Sequence, residues 1–197
     1  MIGLIRWGER LFLIPLSVLV ILRIAPQLGA HPHLALFLLS ELVGVALLLL
    51  QRRGQLVVKL FPIAVAFLGT GLSLLVTPRG ITLVPDWVSI SLIMVGGGTS
   101  LAAKLFLGRS FGMVAANRGV KNGGVYRLVR HPMYAGYMLN QLGFLLVFFS
   151  VQNAAIYAAV WTALWLRAVE EEKFLRGDPD YRAYAAKVRF RLIPGLA

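Results

Sequence analysis

The 197-residue chain has no cysteine, only 8 Asp and Glu, and 14% charged residues in all. The missing cysteine excludes disulfides, thiolate zinc sites and a cysteine nucleophile. The shortage of charge, set against 58% hydrophobic residues and a mean hydropathy of +0.77, leaves too little polar surface for a soluble domain. The few acids stand beside 20 Lys and Arg, for a net charge of +12. In a chain this apolar, such an excess reports topology and anionic lipid headgroups, and no nucleic-acid partner is expected.

What the chain does have is apolar segments, at about 11–28, 33–50, 60–76, 84–107, 133–150 and 153–170. Each comes near the 17–25 residues that a hydrocarbon core of about 30 Å requires. The expectation is an all-α, integral membrane bundle of about six transmembrane helices, or five if one segment is re-entrant. Arg6 and Arg10 precede the run Leu11 to Leu22 as in a signal peptide. No small-x-small cleavage pattern follows, and Arg23, Pro26 and Gly29 read as a helix end and turn, so this run is taken as the first span. With the N-terminus in the cytoplasm, 18 of the 20 basic residues lie inside or at inner helix ends, and only Arg23 and Arg79 lie outside. The positive-inside rule then puts both termini of this multi-pass chain in the cytoplasm. Two parts are expected within one structural unit: residues 1–83, whose helices carry no assignable role, and residues 84–197, which carry the chemistry.

The long inner loop, Gly108 to Pro132, holds Arg109, Arg118, Lys121, Arg127 and Arg130 among Gly119, Gly123 and Gly124. Pro132 suits the first position of the fifth helix, where its missing N–H costs nothing, and this makes His131 the cap. Free backbone N–H groups there favour an anion. Tyr134, about one turn on, can face the same space. Taken alone, the loop reads equally well as an amphipathic headgroup anchor.

At the inner end of the sixth helix stand Arg167, Glu170, Glu171 and Glu172. Arg167 and Glu171, at i and i+4, are expected to pair. Three acids on a strongly basic face also suit a cationic partner such as an ammonium or sulfonium. Gly177-Asp178-Pro179-Asp180 then stops the helix and caps a short amphipathic one, about 179–189, which lies on the inner membrane surface or closes over the bundle.

Gly96-Gly97-Gly98 is expected to interrupt the fourth helix, for close helix packing or for approach of a ligand to bare backbone. Glu41, in the middle of the second span, must be protonated, paired or facing a cavity, with Asn140 and Gln141 as candidate partners or simple helix joiners. His31 and His33 flank Pro32 in an outer turn without nearby carboxylates, and no metal site is expected.

Taken together, Leu107-Gly108-Arg109-Ser110-Phe111, Gly124-Val125-Tyr126-Arg127, Arg130-His131-Pro132-Met133-Tyr134-Ala135-Gly136, Glu171-Glu172-x-x-Leu175, Asp180-Tyr181-x-x-Tyr184 and Arg191-Leu192-Ile193-Pro194 resemble the membrane methyltransferase group that includes isoprenylcysteine carboxyl methyltransferases and phospholipid N-methyltransferases. The match runs over about 90–197, and one departure is the turn Arg176-Gly177-Asp178-Pro179, which is longer or differently formed. The resemblance implies S-adenosylmethionine as methyl donor, with His131, Tyr134, Glu171 and Glu172 as cofactor contacts and Gly96 and Gly98 as the Gly-x-Gly of the phospholipid enzymes.

Charge agrees with this reading. An amino-acid end could set its ammonium on Glu171 or Glu172 and its carboxylate on His131, the helix cap or Arg130. The partners expected are the lipid bilayer and a lipid-like or lipidated acceptor. A carboxylate acceptor would need only placement, by Arg191 or Arg127; an amine or phenol would need a base, for which Glu41 and Glu171 are the candidates. Two other readings stay open, a nicotinamide-dependent membrane reductase of related architecture and a non-catalytic membrane protein that has kept the fold.

Overall fold

The computed structural model describes residues 2–29, 32 and 34–195, with the side chains of Ile2 and Arg6 left aside. His31 and His33, and with them the expectation of no metal at that turn, lie outside the described residues. Each apolar segment becomes a helix: α1 (Ile2–Ile24), α2 (Leu34–Leu49), α3 (Leu60–Gly71), α4 (Asp86–Leu107), α5 (Pro132–Val147) and α6 (Val151–Leu175), followed by the short α7 (Pro179–Lys187). Among the described residues, sheet is limited to a two-residue antiparallel ladder between β1 (Gln55–Leu56) and β2 (Ala116–Asn117). The expected all-α class stands. Among the described residues one helical stretch, Asp86–Ser110, is both long and apolar enough to cross a membrane unaided, while Leu34–Leu49 and Leu60–Leu75 are shorter apolar stretches.

Helix α1 begins at Ile2 rather than near Leu11, because the polar residues ahead of the apolar run have partners of their own. Glu9 is wholly buried and accepts a hydrogen bond from the Val114 backbone N–H. Gln51 donates to the Phe111 carbonyl at 3.0 Å, and the backbone N–H of Arg52 to the Arg109 carbonyl at 2.7 Å. The long loop before α5 therefore hangs on the first two helices.

The triple glycine does not interrupt α4, which runs unbroken from Asp86 to Leu107. Its reason is contact. A Cβ on Gly96 would stand 2.5 Å from the Asn140 nitrogen and 2.6 Å from the Gly136 oxygen, and one on Gly136 would stand 2.7 Å from the Gly96 oxygen. Two bare backbones thus meet where α4 crosses α5, as small residues permit. Gly97 faces Leu36 of α2, and Gly98 faces open space. Ser100 donates back to the Gly97 carbonyl at 2.9 Å.

An apolar core built on Leu48, Ala103, Val160 and Leu164 shares the interior with several buried polar groups, while many large apolar side chains face outward. Lys104 is buried on α4, donates to the Ser40 carbonyl and hydroxyl at 2.9 Å each, and stands 3.5 Å from Glu41, which also accepts from Ser17 at 3.3 Å. Glu41 is therefore paired, and Gln141 is not its partner: Gln141 accepts from Trp161 at 2.9 Å and donates to Ser73 at 3.4 Å, joining helices. Leu11, Leu22, Leu60 and Val151 meanwhile present their side chains outward.

Candidate functional site

The start of α5, the end of α6 and the tail after α7 meet at one end of the bundle. Pro132 is the first helical residue of α5 and His131 its cap, as the sequence indicates. The backbone N–H groups of Arg130 and His131, which a helix start leaves without partners, donate to the carbonyls of Phe190 and Arg191 at 2.9 Å each. The tail is thus laid against the entry to α5.

Glu172 clamps it there. Only 2% exposed, it accepts from Arg130 at 2.7 and 3.3 Å, from Arg191 at 3.1 Å through both oxygens, and meets His131 Nε2 at 3.1 Å. Two forked guanidiniums on one carboxylate give directional, charge-assisted bonds. The Arg130 guanidinium also donates to the carbonyls of Val188 and Arg189 at 2.9 and 2.7 Å. Arg191 lies over the Trp165 ring, 4.9 Å from its centroid. Burial alone would raise the Glu172 carboxyl, but the hydrogen bonds from His131, Arg191 and Arg130 outweigh it and hold the group well below the usual carboxylate range.

Beside the clamp opens a cleft of about 750 Å³ of empty space, part of it solvent. Tyr126, His131, Tyr134, Glu171, Tyr181 and Tyr184 line it, together with Gly112, Arg118 and Lys121 of the loop that precedes α5. Glu171, a quarter exposed, accepts from the Tyr134 hydroxyl at 2.9 Å and stands 3.9 Å from His131 Nδ1. The His131 and Tyr134 rings stack with centroids 5.4 Å apart. Tyr184 donates to the Tyr126 carbonyl at 2.8 Å. Burial pushes the Tyr126, Tyr181 and Tyr184 hydroxyls up, so they stay protonated and able to donate. The turn carrying Tyr126 requires glycine at its start: Gly124 has φ +55°, and a Cβ there would lie 2.1 Å from the Phe106 ring.

Residues 86–178, which span α4 to the cap of α7, match the phospholipid methyltransferase family. Over 113 residues the chain is 34% identical to protein-S-isoprenylcysteine O-methyltransferase A of Arabidopsis thaliana, covering 52% of this chain and 57% of that protein. Over about half its length the chain is similar to phospholipid and isoprenylcysteine methyltransferases. It thus spans little more than half the length of the curated relative it matches. No solved structure matches it.

Of the residues that the family resemblance singles out, Arg130, His131, Tyr134 and Glu171 border the one cleft. Glu172 stands behind it, enclosed by Arg130, His131 and Arg191. Gly96 lies in the α4–α5 contact, and Gly98 does not border the cleft. Arg127 borders a second groove beside α7, with Asp180 and Lys187. Glu41 sits in the bundle with Lys104. The expected Arg167–Glu171 pair does not form: Arg167 reaches the Met113 and Gly112 carbonyls and lies 5.0 Å from the Tyr134 ring centroid, because the loop before α5 brings bare carbonyls to it while Tyr134 takes Glu171.

Two contributors escaped the sequence reading. Glu9 is a lone acid in an apolar stretch, which is itself a signal of a specific partner. Tyr181 stood in the tail motif and on the amphipathic helix, where nothing marked it as a residue of the cleft. The departure in the family's tail turn is also resolved: Arg176 caps α6, the Asp178 N–H returns to the Leu175 carbonyl at 2.9 Å, and the Asp178 side chain then caps α7 and accepts from Asn117 at 2.6 Å.

Proposed function

We propose that this chain is an S-adenosylmethionine-dependent methyltransferase, integral to a membrane as a multi-pass bundle with both termini cytoplasmic, acting on a lipid-like or lipidated acceptor at the inner face. The observation that carries the reading is the cleft in which Glu171, His131, Tyr134 and the tyrosines of α7 converge. Its donor set fits the cofactor. A partly exposed carboxylate suits an ammonium, aromatic faces suit a sulfonium, and the basic inner loop suits a carboxylate. When bound, the donor supplies an activated methyl group on a positively charged sulfur with a neutral leaving group.

The chain's own residues orient and enclose. Glu171, held by Tyr134, offers its remaining oxygen to the cleft. His131 fixes the ring stack beside it. The clamped tail and α7 wall the cleft and exclude water, which strengthens each electrostatic contact inside. Alignment of acceptor and methyl is then the main contribution to rate.

For the acceptor, the name of the Arabidopsis relative favours an oxygen nucleophile on a lipidated group, which needs placement rather than a base. Arg127, on the groove beside α7, suits that placement. The forked bonding of Arg191 to Glu172 supports a role in holding the tail, and the pairing of Glu41 with Lys104 leaves Glu171 the better-placed base where one is required. A bilayer setting is supported by the outward apolar side chains and by exposed Trp7 and Trp87 near the starts of α1 and α4, which the proposed topology puts at opposite interfaces.

Calorimetry of the purified chain in detergent with S-adenosylhomocysteine tests the donor. Binding by the wild type, weakened in His131→Ala, is the expected result, and a wild type that does not bind sinks the reading. Membranes incubated with labelled donor and then extracted for lipid identify the acceptor.

A further inference from the structure

Two of the cleft tyrosines use their hydroxyls within the protein: Tyr134 donates to Glu171, and Tyr184 donates to the Tyr126 carbonyl. Tyr181 differs. It is 4% exposed, it borders the cleft, and its hydroxyl has no hydrogen-bond partner among the described residues. A buried hydroxyl left without a partner is destabilising, and phenylalanine would fill the same space without that cost. The ring already has a packing role, edge-on to Tyr184 with centroids 5.8 Å apart, and that role needs no oxygen. The oxygen therefore requires another explanation.

We propose that the Tyr181 hydroxyl donates a hydrogen bond to the methyl donor bound in this cleft, making α7 part of the binding site and not only its cover. This rests on the proposed function. Burial first, then the neighbouring carboxylates of Glu172 and Glu171, keep the phenol protonated, so it acts as donor toward a lone pair on the ligand. That lone pair belongs to the nucleoside or to the carboxylate end, and the two are separable by probe. The contact also gives the tail a direct dependence on the ligand: occupancy ties α7 to the cleft from the inside, as Arg130 and Glu172 tie the tail from behind.

The test compares wild type, Tyr181→Phe and Tyr184→Phe as full chains in detergent, by thermal melting without ligand and by calorimetry with S-adenosylhomocysteine. Tyr181→Phe is expected to melt at the same or a higher temperature and to bind roughly three- to tenfold more weakly. Tyr184→Phe, which orphans the Tyr126 carbonyl, is expected to melt lower. Repeating the titration with methylthioadenosine, which lacks the amino-acid end, locates the contact: an equal loss puts it on the nucleoside, and no loss puts it on the amino-acid end. Unchanged S-adenosylhomocysteine affinity in Tyr181→Phe, or a lower ligand-free melting temperature, overturns the inference while the donor reading stands. A wild type that binds neither probe overturns the donor reading itself.

Discussion

Glu171 and Glu172 are neighbours on one helix and belong to opposite kinds of structure. Around Glu172 every charge is answered from within: two forked arginines and a histidine surround a carboxylate that is almost wholly buried. Around Glu171 one tyrosine hydroxyl answers, a quarter of the side chain stays exposed, and a second tyrosine nearby keeps an unanswered hydroxyl. A closed polar cluster holds the chain in place, since nothing further can bind it without breaking it. An open one is where a ligand can add bonds without displacing any. Family resemblance treats the Glu-Glu pair as one motif, while the geometry divides it into a fastening and a contact.

The largest effect expected from breaking this division is at the fastening. Glu172→Gln removes the carboxylate charge that pairs with buried Arg130 and half-buried Arg191, a change that costs about 3–5 kcal/mol when one partner of a buried pair is lost. The expected outcome is a lower melting temperature in detergent and a tail newly open to protease after α7. The same carboxylate makes the wild type acid-sensitive. Its native pKa lies below the ordinary value of 4.5, so its contribution is complete above about pH 4.5 and drains away as pH falls toward the depressed native value. Melting followed from pH 6 to pH 3 should fall more steeply in the wild type than in Glu172→Gln. Parallel curves would show that Glu172 is not the group responsible.

At the contact the effect should appear in binding instead. Glu171→Gln retains an oxygen for Tyr134 and removes a charge that faces the cleft, so melting should move by no more than about 0.5 kcal/mol. Affinity for S-adenosylhomocysteine should fall by about 1.5–3 kcal/mol, the range for a hydrogen bond to a charged group. Equal losses of stability and affinity would erase the distinction between the two glutamates.

Much of this was legible in the chain, and what was not has a physical reason. Apolar run length marked six helices, and Pro132 marked the start of α5, because both signals are local. Spacing on a helix also led to an Arg167–Glu171 pair that does not exist, since i,i+4 proximity says nothing of a loop 55 residues away that offers Arg167 better acceptors. The same limit hid the clamp. Arg130, Glu172 and Arg191 are brought together by the tail folding back on α5, which no periodicity encodes. Glu9 was missed because the loop it holds is more than 100 residues away in sequence.

The triple glycine offers the finest discrimination, for it contains both kinds of position within three residues. Gly96 belongs to the closed part: a methyl group there meets the backbone of α5 at 2.5 Å, and neither helix can yield locally because both are regular at that point. Gly96→Ala should therefore cost about 1–3 kcal/mol through overpacking. Gly98 meets nothing within 4 Å, so alanine there should gain up to about 1 kcal/mol from helix propensity. If both glycines serve packing and chain geometry alone, S-adenosylhomocysteine should bind Gly98→Ala as it binds the wild type. A Gly98→Ala protein that melts normally but binds the ligand more weakly would return that residue to the donor site and extend the open region past the end of α5 into the middle of α4.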